Sequence, residues 1–129
     1  MRDIKSNVDA VVSLAPAART NGTANGTVVD LHGYEGAMVV FSFGAWTDGT
    51  HMPSVQHSDD GVTFYAVDAD DLQGTLSAMS SIAGQNAVQR IGYIGSKRYL
   101  RAVLVTASAT TGALSGANVL RGHPALAPV

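Results

Sequence analysis

Tyr99-Leu-Arg-Ala-Val-Leu-Val-Thr106 is the stretch on which the fold turns. Leu100, Ala102 and Leu104 alternate with Tyr99, Arg101, Val103 and Val105. An apolar period of two marks a strand lying against a core, because successive side chains of an extended chain point to opposite faces. Gly95-Ser96-Lys97 turns the chain before it, and Thr110-Thr111-Gly112 turns it after. A single strand cannot bury its own face, so partners must lie elsewhere in the chain.

Working outward, more strands separated by turn residues come into view. Val88–Ile94 carries Val88, Ile91 and Tyr93, and Ala113–Arg121 makes a final strand. Upstream, Ala37–Phe43 (AMVVFSF) is dense in β-formers. Thr27–Leu31 holds Val28, Val29 and Leu31, and Gly33-Tyr34-Glu35-Gly36 punctuates the chain after it. Thr47-Asp48-Gly49-Thr50 and Asp59-Asp60-Gly61 are turns that flank a short strand at Val55–Ser58. Pro53 confines the start of that strand to an edge or a strand end. Val62–Val67 alternates Val62 and Phe64 against polar neighbours, and Asp68–Ser81 reads as a loop with a short strand. Asn21-Gly22-Thr23 and Asn25-Gly26-Thr27 are turn signals. They also match N-glycosylation acceptors, but no secretory signal precedes them, so the turn reading is preferred.

Met1–Pro16 reads two ways. Ile4, Val8, Val11 and Val12 follow helical spacing, whereas Val11-Val12-Ser13-Leu14 suits a strand. An extended arm or edge strand is favoured, with a short helix as the alternative. The expectation is an all-β chain: a single jelly-roll-like β-sandwich of about eight strands with an extended N-terminal arm. Residues 1–20 form the arm or edge strand, 21–121 the sandwich and 122–129 a C-terminal tail.

Composition narrows the function classes. The 129 residues are 46% hydrophobic but only 14% charged, against about 25% charged in an average domain. Either neighbouring copies cover much of the surface, or the chain has simply drifted toward Ala and Gly. The formal charge is −2. Apart from Lys97-Arg98 the basic residues are scattered, without the basic stripe expected of a nucleic-acid binder. No cysteine is present, which removes disulfides and thiolate chemistry. No apolar window reaches the length of a membrane span, and the start lacks the apolar stretch of a signal peptide. A soluble, cytoplasmically made chain with no membrane partner is expected.

Chemistry-bearing patterns are sparse. His32, His51, His57 and His123 do not pair at ligand spacing. Asp68, Asp70 and Asp71 suit a hard cation in type, but Met79 stands where an EF-hand loop would need its last carboxylate. The choice between an ion and a solvated acidic loop stays open. Asp59-Asp60 reads as a turn rather than an acid–base pair. Gly92-Tyr-Ile-Gly-Ser-Lys97 lacks the phosphate-loop order, and no nucleophile elbow is found. A non-enzyme without cofactor or metal is expected. Trp46, Tyr34 and Tyr65 are the candidate partner-binding residues, since a loop-borne aromatic can stack on a sugar or anchor an interface. Trp46 has an alternative role as a cap on the core.

Two resemblances follow from specific residues. Val55-Gln-His-Ser-Asp-Asp-Gly-Val-Thr-Phe64, followed by Lys97-Arg-Tyr-Leu-Arg101, resembles the signature of discoidin-like jelly rolls. It implies a DG turn joining two strands and a core-crossing Arg-Tyr strand. It carries over no binding loop. Over more of the chain, Asp3-Ile-Lys-Ser-Asn7, Ser13-Leu-Ala-Pro16, Asn25-Gly-Thr27 with Val29-Asp-Leu31, Ser58–Gly61, Gly92–Tyr99 and Arg121-Gly-His-Pro124 resemble small virion proteins of tailed bacteriophages. That resemblance implies a capsid decoration (cement) protein located in the virion. Its partners would be the major capsid protein and copies of itself. A tail or connector subunit, or a virion-displayed carbohydrate-binding module, is the alternative.

Overall fold

The computed structural model describes residues 1–128. Its ten strands are β1 (Val8–Arg19), β2 (Gly22–Asn25), β3 (Val29–Asp30), β4 (Tyr34–Trp46), β5 (Thr50–Ser58), β6 (Tyr65–Ala66), β7 (Leu72–Gln73), β8 (Val88–Tyr93), β9 (Tyr99–Ala107) and β10 (Ala113–Pro124). They form two antiparallel sheets. One runs β1-β10-β4-β8-β7, and the other β2-β9-β5-β6 with β3 also on β9. We call them the β4 sheet and the β9 sheet. The first long strand lies beside the last, and the chain crosses between sheets at most of its connections. This is jelly-roll connectivity.

The inner faces interdigitate. Val11, Val119, Val39 and Ile91 make one cross-strand row of the β4 sheet. Leu100, Ala102 and Leu104 of β9 face them, fully or almost fully buried. Alternation in β9 therefore appears as expected, although Val103 on the opposite face is also only 2% exposed. Val8–Arg19 forms a strand at the edge of the β4 sheet, and the short-helix alternative does not occur.

Several local expectations are corrected. Gly22–Asn25 is strand β2, paired with β9, rather than two successive turns. Gly26 follows β2 because β1 crosses closely there: a Cβ would sit 2.3 Å from Ser13 Oγ. That hydroxyl donates to Thr27 O (2.9 Å) and accepts from the amide of Ala102 (3.0 Å), tying both sheets together. The turn before β4 is at His32-Gly33, and Tyr34–Gly36 already belong to the strand. Val62–Val67 does not form a full strand, since only Tyr65–Ala66 pair with β5. Val62 is exposed, and Phe64 leaves the alternation to lie under the Arg101 guanidinium, 4.0 Å away. Pro53 sits in mid-strand, opposite Leu104, with its nitrogen on the open side of β5, so of the two expected placements it takes the edge and not the strand end. β10 runs on through Pro124, into the expected tail, whose last residue, Val129, lies outside the described residues.

Candidate interaction face

The three aromatic candidates do not converge. Tyr34 opens β4 and Trp46 closes it, which separates them by about 40 Å of extended chain. The Trp46 indole N–H donates to Gly49 O (2.9 Å), and its ring packs on the core. It closes one end of the sandwich and holds the Thr47–Thr50 turn. Tyr34 lies 4.5 Å beneath the Arg121 guanidinium. Tyr65 is 60% exposed and presents an uncovered ring.

Several titratable groups serve the fold. His51 is fully buried. Its Nε2 meets Asp48 O at 3.0 Å and its Nδ1 meets the Thr106 hydroxyl at 3.2 Å. His57, six positions along the same strand, is about 20 Å away and bonds Tyr93 Oη through Nδ1 (2.9 Å). Burial holds the His57 pKa below its ordinary value, and the Lys97 charge adds to this. Asp60 accepts from the amides of Val62 and Thr63 and from the Ser58 hydroxyl, which holds its carboxyl at about 2. Asp59 pairs with Lys97 at 2.7 Å. A two-pronged contact with Arg98 likewise brings Asp30 to about 2. Asp68–Asp71 forms a 3-10 turn closed by the Asp71 amide on Asp68 O (2.9 Å). Among the described residues, no three His, Asp or Glu side chains gather as a metal site.

The feature without an internal explanation is the outer face of the β4 sheet. Register places Ala10, Leu120, Met38 and Gly92 in one outward row. Val12, Asn118, Val40 and Arg90 make the next, and Gly116, Ser42 and Val88 a third. Arg90 is the only formal charge in these rows. Val12 is 50% exposed, Val88 66% and, farther along β10, Leu114 49%. At one end the small residues Gly36 and Gly122 floor a cleft of about 640 Å³, flanked by Ile4, Met38, Ile94 and Leu120. Although Asn118, Ser42 and Arg90 interrupt its apolar side chains, this charge-poor face is the candidate contact surface, since broad exposed apolar patches mark contacts.

Inspection of the sequence missed this face, yet a signal was present. In Ala37–Phe43 the inward residues (Val39, Phe41, Phe43) are apolar, and so are two of the three outward ones (Met38 and Val40, with Ser42 the exception). A strand apolar on both sides reads as a strand covered on both sides. The same residues can take a broad, dry, non-catalytic contact, because they offer area rather than nucleophiles or ligands. The sequence matches no protein-family model, and no curated protein is significantly similar to it.

Proposed function

We propose that this chain is a structural protein of a tailed-phage virion, a head decoration protein that bridges capsid subunits through the outer face of the β4 sheet. The observation that carries the reading is this face: three strand-crossing rows with one formal charge, on a sandwich whose core is already complete. Such a face is costly to leave in water, at roughly 25 cal/mol per Å² of apolar area. Against a shell, that cost becomes binding energy. Repetition over a symmetric surface multiplies weak contacts without new chemistry. The resemblance to small phage virion proteins supplies the choice of shell, with the major capsid protein and further copies of the chain as partners.

Cryo-electron microscopy of the particle encoded alongside the gene tests this. The expected result is density on the shell between capsomers, with β4 and β10 facing the capsid. Density confined to the neck or tail would assign the chain to a connector or tail role. Absence from the particle would overturn the virion reading altogether.

A further inference from the structure

Four sheet edges are exposed to the surroundings, and three are short. β7 and β6 have two residues each, and the outer side of β9 is shared by β2 (four residues) and β3 (two). Short edge strands are a standard guard against unwanted strand pairing. β1 is the exception, with 12 residues and, among the described residues, no strand beyond it; β5 and β8 are uncovered where β6 and β7 stop short.

Its two halves differ. Beyond Val12 the register with β10 shifts twice, between Val12 and Leu14 and between Leu14 and Ala17, and Pro16 removes a donor. These are edge-blunting devices. Val8–Val12 has neither a register shift nor a proline. It is held down on β10 by the contact of Asp9 with Arg121, whose Nη1 also donates to Asp30 O (2.8 Å).

The direction of its free backbone groups follows from the ladder. The Phe43 amide donates to Ala87 O (2.8 Å), so the odd residues of β4 bond toward β8. Groups on an antiparallel strand alternate in direction. Even β4 residues therefore bond β10, odd β10 residues bond β1, and Asp9 and Val11 are the β1 residues that answer them. The N–H and C=O groups of Val8, Ala10 and Val12 point to the open edge.

We infer that Val8–Val12 pairs antiparallel with the same segment of a second copy, about a two-fold axis at Ala10. The inference rests on the proposed assembly role and names one partner for it. The segment is self-complementary. Ala10 meets Ala10 of the second copy, Val8 meets Val12, and Asp9 meets Val11, so no like charges stand opposite each other. Each outward pair closes two bonds, giving about six in all. The outer rows of the two copies, each with Arg90 as its one formal charge, then become continuous across the axis. Five residues per copy is a small contact beside the roughly 1,600 Å² of a standard interface, so pairing is concentration-dependent.

Sedimentation of the full chain from about 10 μM to about 1 mM is the test. The expected result is a rise from the 13.3 kDa monomer toward twice that mass. Ala10→Pro removes only an outward N–H, and should hold the chain at monomer mass with an unchanged circular-dichroism spectrum. Ala10→Lys and Ala10→Glu should each be monomeric, because like charges then meet at the axis. Their equimolar mixture should regain the doubled mass. A wild-type chain that stays monomeric throughout overturns the inference, as does a dimer that survives all three substitutions. A mixture that fails to pair overturns the Ala10 axis. Particle imaging reads location and sedimentation reads pairing, so either proposal can fail without the other.

Discussion

Two residues show how much single atoms decide in this fold. Gly112 has a φ of +84°, and a Cβ there would lie 1.8 Å from Arg19 O. Neither the left-handed backbone nor the contact with β1 tolerates a side chain. Gly112→Ala should destabilise the protein by about 2–4 kcal/mol, read as a lower urea midpoint. His57 sets a pH dependence. The Tyr93 hydroxyl meets His57 Nδ1 at 2.9 Å and accepts the Lys97 amide (3.1 Å). Burial favours the neutral imidazole. Its pKa lies below the ordinary 6.5 because burial and Lys97 outweigh the opposing pull of Asp71, Asp68 and Asp59. In that window the unfolded chain binds more protons than the folded one. His57 stabilisation is therefore complete above about 6.5 and is lost as pH falls toward the lowered folded value, by at most about 1.4 kcal/mol per pH unit. Urea unfolding between pH 7.5 and 5.5 should show this slope, and His57→Gln should flatten it. Asp30 and Asp60 titrate lower, their contribution fading from about 3.8 toward about 2.

At the scale of elements, β5 shows why a proline inside a strand is tolerated here. His51 exchanges both backbone bonds with Met79, so the odd residues of β5 face away from β9. Pro53 shares that direction, and among the described residues no strand stands opposite its nitrogen. Its lost donor therefore breaks nothing, and the edge rule holds although the residue lies mid-strand. One position along, Ser54 faces Val103 of β9. Ser54→Pro should cost about 1–3 kcal/mol, the penalty of a ladder bond left unmade, whereas Pro53→Val should remain within about 1 kcal/mol of wild type. Thermal melts of the two variants separate these outcomes. The misread segments have a common cause. Asn21-Gly22 and Asn25-Gly26 carry hairpin residues, but β9 recruits Gly22–Asn25 as a strand. Val62 and Phe64 alternate in sequence, but Asp60 draws the amides of Val62 and Thr63 into its turn. In both places a tertiary partner or a local side-chain bond outbids propensity.

For the whole molecule, the proposed function assigns the two sides of the sandwich separate tasks. The inward rows fix stability, and the outer rows of the β4 sheet are free for contact. Val88→Glu and Leu114→Glu lie on the exposed side, so each should change unfolding free energy by less than about 0.5 kcal/mol. Both should lower retention of the purified protein on particles stripped of it, measured by co-sedimentation. Full retention by both variants would remove this face from the proposed contact.

The sequence by itself determined that this is a β-sandwich. Alternation in Tyr99–Thr106, turn residues at Thr47–Thr50, Asp59–Gly61 and Thr110–Gly112, and the apolar Ala37–Phe43 are local facts, and strand geometry reads them locally. It also marked Trp46 as notable, though not that its indole N–H would be spent on Gly49 O. Only the tertiary structure decided which rows faced water and which aromatics were free. Those properties depend on registers between distant residues, such as Val8 with Gly122 or Ala37 with Tyr93. A period of two says that a strand has two faces. What covers each face, and what lies beyond its last hydrogen bond, is set by the order in which strands pair.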